Sequence, residues 1–165
     1  MTLYWAANGA MATTSSLATV GTGTTIKTML QIATPSSRML KVVEWGISFG
    51  GSAAATPVKC ELIQTDVAAT VTAHVAAGVQ PYDDPSAPAS QVTLGAAATG
   101  YTASAEGTIT ATRTFDAQQV SPTTLYVKQW PLGREPKLPI SKFLRVRVLA
   151  SADVQCWTYV LWEEL

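Results

Sequence analysis

The chain has 165 residues, about the size of one domain with its own hydrophobic core. Only 13% of the residues are charged, about half the usual share, and 11 basic residues balance 11 acidic ones. This balance excludes the basic surface that binds nucleic acids or anionic membranes, and a weakly charged surface is typical of a protein that works within an assembly.

Residues 1–25 are predicted to form an extended N-terminal arm. Residues 6–25 are small and polar without periodicity, and Tyr4 and Trp5 before them are large and amphipathic, as an anchor on a partner would be. A frayed end that packs Trp5 on its own domain is the alternative. The start lacks the regions of a signal peptide and no run approaches the about 18 apolar residues of a membrane span, so we expect synthesis in a cytosol and no membrane partner.

From residue 26 to 165, short segments alternate apolar with polar residues, which is the pattern of half-buried β-strands. In segment 143–150, Arg145 and Arg147 are predicted to face solvent. The threonines of segment 107–114 favour an extended backbone. The predicted strands, with their core-facing residues, are 24–32 (Ile26, Leu30, Ile32), 40–49 (Val43, Trp45, Ile47, Phe49), 58–63 (Val58, Cys60, Leu62), 107–114, 124–130 and 143–150 (Leu144, Val146, Val148).

The last segment, residues 154–164, is apolar on both faces. One face carries Val154, Cys156, Val160 and Trp162, and the other carries Trp157, Tyr159 and Leu161. A strand of this kind lies either in the centre of a protein or at a subunit interface. The short link at 150–153 predicts a hairpin between 143–150 and 154–164.

A long irregular insertion is predicted at about residues 74–105. A helix over 65–78 is an alternative at its start, because Ala favours helices and Asp66 can cap one, but the valines and threonines there favour a strand followed by a loop. About seven or eight strands with one insertion predict an all-β fold, a β-sandwich or jelly roll that forms a single domain over residues 26–165.

The insertion gathers the only histidine, His74, and the adjacent Asp83 and Asp84, which raises the question of an active site or metal site. Neighbouring aspartates in extended backbone point apart, and an aspartate before proline is typical of a capped turn. A calcium site is the weaker alternative because the spacing of a calcium loop is missing. His74 is predicted to be a packed or interface histidine. With no nucleophile elbow or phosphate loop, we predict that the protein is not an enzyme and has no cofactor or metal.

Two cysteines, Cys60 and Cys156, each lie within an apolar strand. This position favours buried free thiols over a disulfide. Together with one histidine, they also cannot form a four-ligand zinc site without carboxylates.

Aromatic residues are plentiful beside so few charges, and aromatic and arginine side chains are the usual anchors of interfaces. In residues 129–139 three prolines exclude regular strand pairing and stiffen a loop that offers Trp130, Leu132 and Arg134. The predicted interface residues are Tyr4, Trp5, Tyr82, Trp130, Leu132, Arg134 and Trp157.

Five stretches together resemble the capsid decoration (cement) proteins of tailed bacteriophages; they lie at residues 41–88, 100–116, 126–136, 142–148 and 159–164. The resemblance implies a β-sandwich or jelly-roll protein, often a homotrimer, that binds the outside of the virion and stabilises contacts between major capsid subunits. It implies the major capsid protein as partner, synthesis in the bacterial host cytoplasm, and no direct contact with nucleic acid.

Two other classes of function remain open. The first is a carbohydrate-binding or adhesin module, which a row of aromatic side chains on one exposed sheet face would favour. The second is another head or tail component of the same virion, which would differ in symmetry rather than in chemistry.

Overall fold

The computed structural model describes residues 2–52 and 56–165, and its regular structure is almost all β. A single 3-10 turn covers Ala76–Gly78. The described strands are β1 (Leu3–Ala7), β2 (Val20–Gly21), β3 (Lys27–Ala33), β4 (Leu40–Phe49), β5 (Val58–Thr65), β6 (Thr70–Ala73), β7 (Gln80–Pro81), β8 (Gly100–Ala105), β9 (Thr112–Val120), β10 (Leu125–Gln129), β11 (Lys137–Leu138), β12 (Phe143–Leu149) and β13 (Gln155–Glu164). Segment 65–78 therefore contains strand β6 rather than a helix, as preferred from the sequence.

These strands form two antiparallel sheets that pack face to face, which confirms the predicted β-sandwich. The seven-stranded sheet has the order β10-β4-β13-β1-β7, with β11 also paired to β4 and β2 to β13. The six-stranded sheet has the order β6-β8-β3-β12-β5-β9. The chain changes sheet at the connections β2–β3, β3–β4, β4–β5, β6–β7, β7–β8, β9–β10, β11–β12 and β12–β13.

The main hydrophobic core fills the space between the sheets, and Trp45 and Trp162 are its largest fully buried side chains. A second, small cluster of Ala69, Val71 and Ala103 lies apart from it. At one side of the sandwich, the carboxylate of Asp116 in β9 accepts hydrogen bonds from Trp45 Nε1 (3.1 Å) and from the Tyr126 hydroxyl of β10 (2.8 Å). These bonds join the edge strands of the two sheets. The predicted core positions that the structure confirms are Leu30, Ile32, Trp45, Ile47, Phe49, Val58, Cys60, Leu62, Leu144, Val146 and Val148.

A β-bulge in β4 moves Val43 away from its predicted core position. Strand β13 pairs Leu161 with Glu44 but Trp162 with Val42, so Val43 is an extra residue in the ladder. The bulge reverses the alternation, and Val42 is fully buried while Val43 is only half-buried. The prediction for Val43 is therefore wrong.

A second bulge changes the inward-facing set of β3. Strand β12 pairs Val146 with Leu30 and Arg147 with Thr28, which leaves Met29 as the extra residue. Met29 is fully buried, whereas Ile26, predicted to lie in the core, precedes the strand and is 44% exposed.

The predicted hairpin between 143–150 and 154–164 is wrong. Strand β12 belongs to the six-stranded sheet and β13 to the seven-stranded sheet, so the link between them crosses the sandwich. A short polar link is compatible with both geometries, and the sequence alone does not separate them.

The strand predicted at 107–114 begins only at Thr112. The carboxylate of Asp66 accepts hydrogen bonds from the backbone N–H groups of Thr110 (3.2 Å) and Ala111 (3.1 Å) and from the Thr110 hydroxyl. These hydrogen bonds lower the pKa of Asp66 to about 2, and the bond from the Thr110 hydroxyl has the largest effect. The same hydrogen bonds hold residues 107–111 in a loop. Gly107 begins this loop with a φ of +70°, in the left-handed region that favours glycine.

Residues Leu3–Ala7 form strand β1 of the sandwich, within the stretch predicted to be an extended arm. Strand β1 lies between β13 and β7, with Tyr4 and Ala6 facing the core and Trp5 facing outward. The strand ends before Asn8, where the side-chain oxygen of Asn8 accepts a hydrogen bond from the backbone N–H of Thr158 (2.9 Å). Within the predicted arm at 1–25, residues 3–7 and 20–21 are thus strands of the seven-stranded sheet. These strands are too short to show a periodic pattern in the sequence.

The insertion at 74–105 is more regular than predicted and covers one edge of the seven-stranded sheet. Strand β7 pairs with β1 and forms the edge of the sheet. It contains Pro81, which has no backbone N–H to donate to a further strand. The Tyr4 hydroxyl donates to the Pro88 carbonyl (2.9 Å), and Gln91 N donates to both carboxylate oxygens of Glu164 (3.0 Å). Strand β8, predicted as loop, pairs with β3 and β6 in the other sheet.

Arg145, predicted to face solvent, is fully buried. The segment that follows β8 folds over it, and the guanidinium donates to the Glu106 carboxylate (3.2 Å), to the Glu106 carbonyl (3.0 Å) and to the Val67 carbonyl. The same carboxylate accepts from the N–H (2.5 Å) and the hydroxyl (2.6 Å) of Thr28. The prediction is wrong because the cover comes from a loop distant in sequence.

Glu106→Ala is expected to lower the free energy of unfolding by about 3 kcal/mol, because it leaves a buried guanidinium without its carboxylate. The matched control is Glu61→Ala, which breaks the ion pair of Arg147, the other arginine of β12. That pair joins side chains that are 15% and 29% exposed, and its loss is expected to cost less than about 1 kcal/mol. Urea unfolding followed by tryptophan fluorescence measures both, and equal losses would contradict the assignment.

Candidate functional site

An exposed apolar surface lies on the outer side of the seven-stranded sheet. We call it the outer apolar face, and it consists of Trp5 of β1, Leu125 and Val127 of β10, and Trp157 and Tyr159 of β13. Side chains alternate along each strand, so these residues point away from the core while their neighbours in sequence point into it. Leu125 is 68%, Val127 48% and Trp157 43% exposed, which is unusual for apolar side chains grouped on one sheet.

Gly46 of β4 lets the Tyr159 ring lie flat on this face. The two residues are directly opposite in the β4–β13 ladder, and a Cβ on Gly46 would come within 2.4 Å of Tyr159 Cε1. The Tyr159 hydroxyl donates to Glu44 Oε1 (2.5 Å), and the ring stacks on Trp5 with centroids 6.4 Å apart. Burial, and then the neighbouring Glu44 carboxylate, raise the pKa of Tyr159. The phenol is therefore neutral and the two rings are held in place.

Between these rings and β10 the face forms a groove of about 400 Å³. Its remaining lining comes from Ala7, Leu17, Gly46, Ile47, Ser48 and Thr158, so no charged side chain lines it. A catalytic site needs ionisable groups that can exchange protons or attack a substrate. The ionisable side chain that lines this groove, Tyr159, is a neutral phenol that already donates to Glu44, and the chemistry of the groove suits the burial of an apolar or aromatic surface.

A larger open depression of about 630 Å³ lies on the six-stranded sheet. Long polar side chains and the Glu61–Arg147 ion pair cross it, with Arg147 Nε donating to Glu61 Oε1 at 2.6 Å. Because these two charges are paired with each other and would have to be covered together with the polar side chains around them, this surface is less suited than the outer apolar face to partner contact.

The structure brings two of the predicted interface residues, Trp5 and Trp157, together on the outer apolar face. Tyr4 faces the other way: it is 5% exposed and packs against Trp162, with ring centroids 6.3 Å apart. Tyr4 is therefore a core residue. Tyr82, which follows β7, is 64% exposed and lies near enough to Tyr159 to contribute to the raised pKa of that phenol.

The other three predicted interface residues lie on the loop after β10, outside the groove. Trp130 is half-buried against the core, and its backbone N–H donates to the Val43 carbonyl (3.1 Å). Beyond it the chain makes a tight turn in which Arg134 N donates to the Pro131 carbonyl (2.9 Å). This turn leaves Leu132 91% exposed and Arg134 exposed beside it.

Sequence reasoning missed Leu125 and Val127 as surface residues. Segment 124–130 was predicted to be a strand, which β10 confirms, but its two faces were not assigned. Tyr126 and Leu125 are both apolar, so the alternation does not tell which of them faces the core. The hydrogen bond from Tyr126 to Asp116 decides it, and that contact joins two different sheets.

His74 is a packed histidine, one of the two alternatives predicted for it. It is 4% exposed, and its Nε2 lies 2.8 Å from the Ala7 carbonyl oxygen. Its ring packs edge to face with that of Tyr101, with the ring centroids 4.8 Å apart. A carbonyl only accepts, so Nε2 carries the proton. Gly78 approaches the other nitrogen so closely that a Cβ there would lie 2.7 Å from Nδ1. Burial lowers the pKa of His74, which keeps the ring neutral.

Asp83 and Asp84 each bind backbone rather than each other. Asp83 Oδ1 accepts from Leu3 N (2.8 Å), which ties the turn to β1, and Asp84 Oδ1 accepts from Ser86 N (2.8 Å), which caps the turn. Across residues 2–52 and 56–165, no group of three or more His, Cys, Asp or Glu side chains is arranged to hold a metal ion. The two carboxylates thus have structural partners.

Cys60 and Cys156 are buried free thiols, as predicted. Burial raises the pKa of Cys60 to about 12 and raises that of Cys156 as well. Both thiols are therefore protonated and unreactive at neutral pH. In the described part of the chain, no helix has the length and hydropathy to cross a membrane.

The free energy of unfolding is expected to fall as the pH decreases from about 7 to 5, by up to about 1.4 kcal/mol per pH unit. The folded chain holds His74 neutral, so the unfolded chain takes up the proton first. His74→Gln is expected to remove this dependence, because the chain has one histidine. Urea unfolding at several pH values measures the slope, and an unchanged slope in the variant would assign it to other groups.

Asp83→Asn combined with Asp84→Asn is expected to change the free energy of unfolding by less than about 1 kcal/mol. Asparagine keeps the oxygen that accepts from Leu3 N and Ser86 N. Unfolding measured with calcium and with a chelator should give the same result for both proteins. Stabilisation of the parent protein by calcium that the double variant lacks would instead establish a calcium site.

The candidate site is therefore an exposed apolar surface with a groove, and the described residues that line it include no cluster of reactive groups. No family model matches the chain, and no curated protein sequence or solved structure is significantly similar to it.

Proposed function

We propose that this protein binds the outside of a bacteriophage capsid and stabilises the contacts between major capsid subunits. The observation that carries the proposal is the outer apolar face. It belongs to a chain with few charged residues and a net charge of +0. A monomer in solution gains nothing from exposing Trp157, Leu125 and Val127 together, whereas an assembled protein buries them. The sequence resemblance to capsid decoration proteins supports the same assignment.

The proposed mechanism is the burial of surface across neighbouring capsid subunits. Each 100 Å² of apolar surface removed from water contributes about 2.5 kcal/mol before ordering costs are subtracted. A sandwich that is already folded, with loops stiffened by proline, loses little entropy when it binds. The bound protein then adds to the work that internal pressure must do to separate the subunits.

A carbohydrate-binding module is the second candidate, and one observation favours it. Trp5, Tyr159 and Trp157 form a row of aromatic side chains on one exposed sheet face, and sugar rings stack on such rows. Sugars also require several hydrogen-bonding groups, and the groove offers mainly the Ser48 side chain, because Thr158 is buried and its hydroxyl already donates to the Gly46 carbonyl. The apolar lining therefore supports a protein partner more strongly. A different head or tail component of the virion would use the same surface chemistry.

The test is co-sedimentation of the purified protein with heads of the encoding phage that lack it. Saturable binding is expected, together with a higher temperature of DNA release from the heads. Heads that already carry the native protein are the control and should bind no more. Absence of both binding and stabilisation would refute the proposal, and binding to immobilised glycans that Trp157→Ala abolishes would support the carbohydrate module.

A further inference from the structure

We propose that Asn8 and Gly9 form a deamidation site that the folded chain holds shut and that unfolding opens, so that loss of the fold becomes irreversible. Asn8 is the only asparagine in the chain, and a glycine follows it directly. The inference concerns the lifetime of the folded chain, and it does not depend on the proposed binding to a capsid.

An asparagine that precedes a glycine is chemically labile, because the glycine has no Cβ to hinder attack by its backbone nitrogen. This nitrogen gives its proton to a base in the solvent and attacks Cγ of the asparagine side chain. The new bond from nitrogen to Cγ forms, the bond from Cγ to Nδ2 breaks, and ammonia leaves. Water then opens the resulting succinimide ring at either carbonyl, which gives aspartate or isoaspartate. Water is the only co-reactant.

In the folded chain the Asn8 side chain fills a gap beside the central strand β13. On this edge β1 pairs with residues 159–163, and β2 pairs with Gln155 and Cys156. Between these two pairings, Asn8 Oδ1 accepts from Thr158 N (2.9 Å) and Asn8 Nδ2 donates to the Cys156 carbonyl (3.2 Å). The amide therefore supplies the acceptor and the donor that a neighbouring strand would supply.

The folded chain suppresses ring closure in two ways. Cγ of Asn8 must turn toward the Gly9 nitrogen, and the two side-chain hydrogen bonds keep the amide turned toward β13 instead. Asn8 is also fully buried and Gly9 is buried beside it, which keeps solvent base and water away from the reacting atoms. The reaction therefore requires the end of β1 to separate from β13.

The product does not fit the place that the amide occupies. Aspartate keeps the oxygen that accepts from Thr158 N, but its second oxygen replaces Nδ2 beside the Cys156 carbonyl, and both of these atoms only accept. The hydrogen-bond partners of Asn8 are backbone groups, which do not neutralise a buried carboxylate. Isoaspartate also lengthens the backbone by one carbon. A chain that deamidates while unfolded is therefore not expected to regain the sandwich.

The position of the site makes it sensitive to whether the sheet is complete. Strand β13 is the last strand of the described chain, and β1 has its main partner only when β13 is in place. Until then the Asn8 amide is open to solvent and free to react. The amide thus survives in chains that complete the seven-stranded sheet and is lost from chains that stay open.

The first test compares deamidation of the folded and the unfolded chain. The purified protein is kept at neutral pH in buffer and in guanidinium chloride, and peptide mapping by mass spectrometry measures the conversion of Asn8. The folded chain is expected to react more slowly by on the order of a hundredfold or more, because only its opened fraction reacts. A peptide of residues 4–12 in both solutions controls for the denaturant. Equal rates for the folded and unfolded chain would overturn the proposal.

Hydroxylamine gives an independent measurement of the same step, because it attacks the succinimide ring and cleaves the chain there. It should cut the unfolded chain between Asn8 and Gly9 and leave the folded chain intact. Cleavage of both at the same rate would show that the fold does not protect the site.

The second test follows refolding after increasing times in denaturant. The fraction that regains the native tryptophan fluorescence is expected to fall at the rate at which Asn8 is converted. Gly9→Ala is the matched control, since it keeps Asn8 and adds a methyl group that slows ring closure. This Cβ would lie 3.2 Å from Leu17 Cδ1, the end of a flexible side chain, and thermal unfolding checks that the variant is folded. An equal loss of refolding in Gly9→Ala would overturn the proposal.

Asn8→Asp supplies one of the two products directly. It is expected to raise the equilibrium constant for unfolding by on the order of a hundredfold or more, because it buries an unpaired carboxylate. An Asn8→Asp protein as stable as the parent, or a deamidated parent chain that refolds fully, would contradict the proposed irreversibility. Neither result changes the expected binding to phage heads.

Discussion

The antiparallel pairing of β13 with β4 on one side and β1 on the other is the constraint on which the rest of the structure depends. Because side chains alternate, this one register places Trp162 in the core and Tyr159 on the outer face at the same time. It also sets Glu163 beside Lys41, with which it forms an ion pair, and Tyr159 over Gly46. A slip of one residue would turn the Glu163 carboxylate into the hydrophobic core, away from Lys41, and would turn Trp162 out of it, so the core and the outer apolar face are specified together.

Much of the sandwich could be predicted because its strands alternate cleanly. The core positions of β5 and β12 follow from the period of two. The apolar character of β13 on both faces predicted either a central strand or a subunit interface, and the structure places β13 between β4 and β1. The errors have a common physical origin in contacts between distant segments. A bulge reverses the faces of β4 at Val43, and a loop from residue 106 covers Arg145. The sequence near Val43 or Arg145 contains no sign of either.

The candidate site was less predictable than the fold. Trp157 and Trp5 were named from their residue type, and the structure places both on one face. Tyr4 was named for the same reason and lies in the core, because only the register of β1 decides which aromatic ring points inward. Gly46 has no side chain to attract notice, and its importance becomes visible only when Tyr159 lies across it. Of the histidine and aspartates that drew attention in the sequence, His74 and Asp83 hold the insertion against β1, and Asp84 caps its turn.

The central position of β13 also has a consequence for how the chain folds. Its two neighbours are β1, at the beginning of the described chain, and β4, more than a hundred residues away in sequence. The middle of the seven-stranded sheet therefore cannot form on the ribosome until residues 155–164 have emerged. Closing such long loops is slow, in the range of milliseconds to seconds for β-sandwiches. During that interval β10 and β11 can pair with one edge of β4, but its other edge stays unpaired, so protection of the nascent chain from aggregation matters more here than in a sheet built from consecutive hairpins.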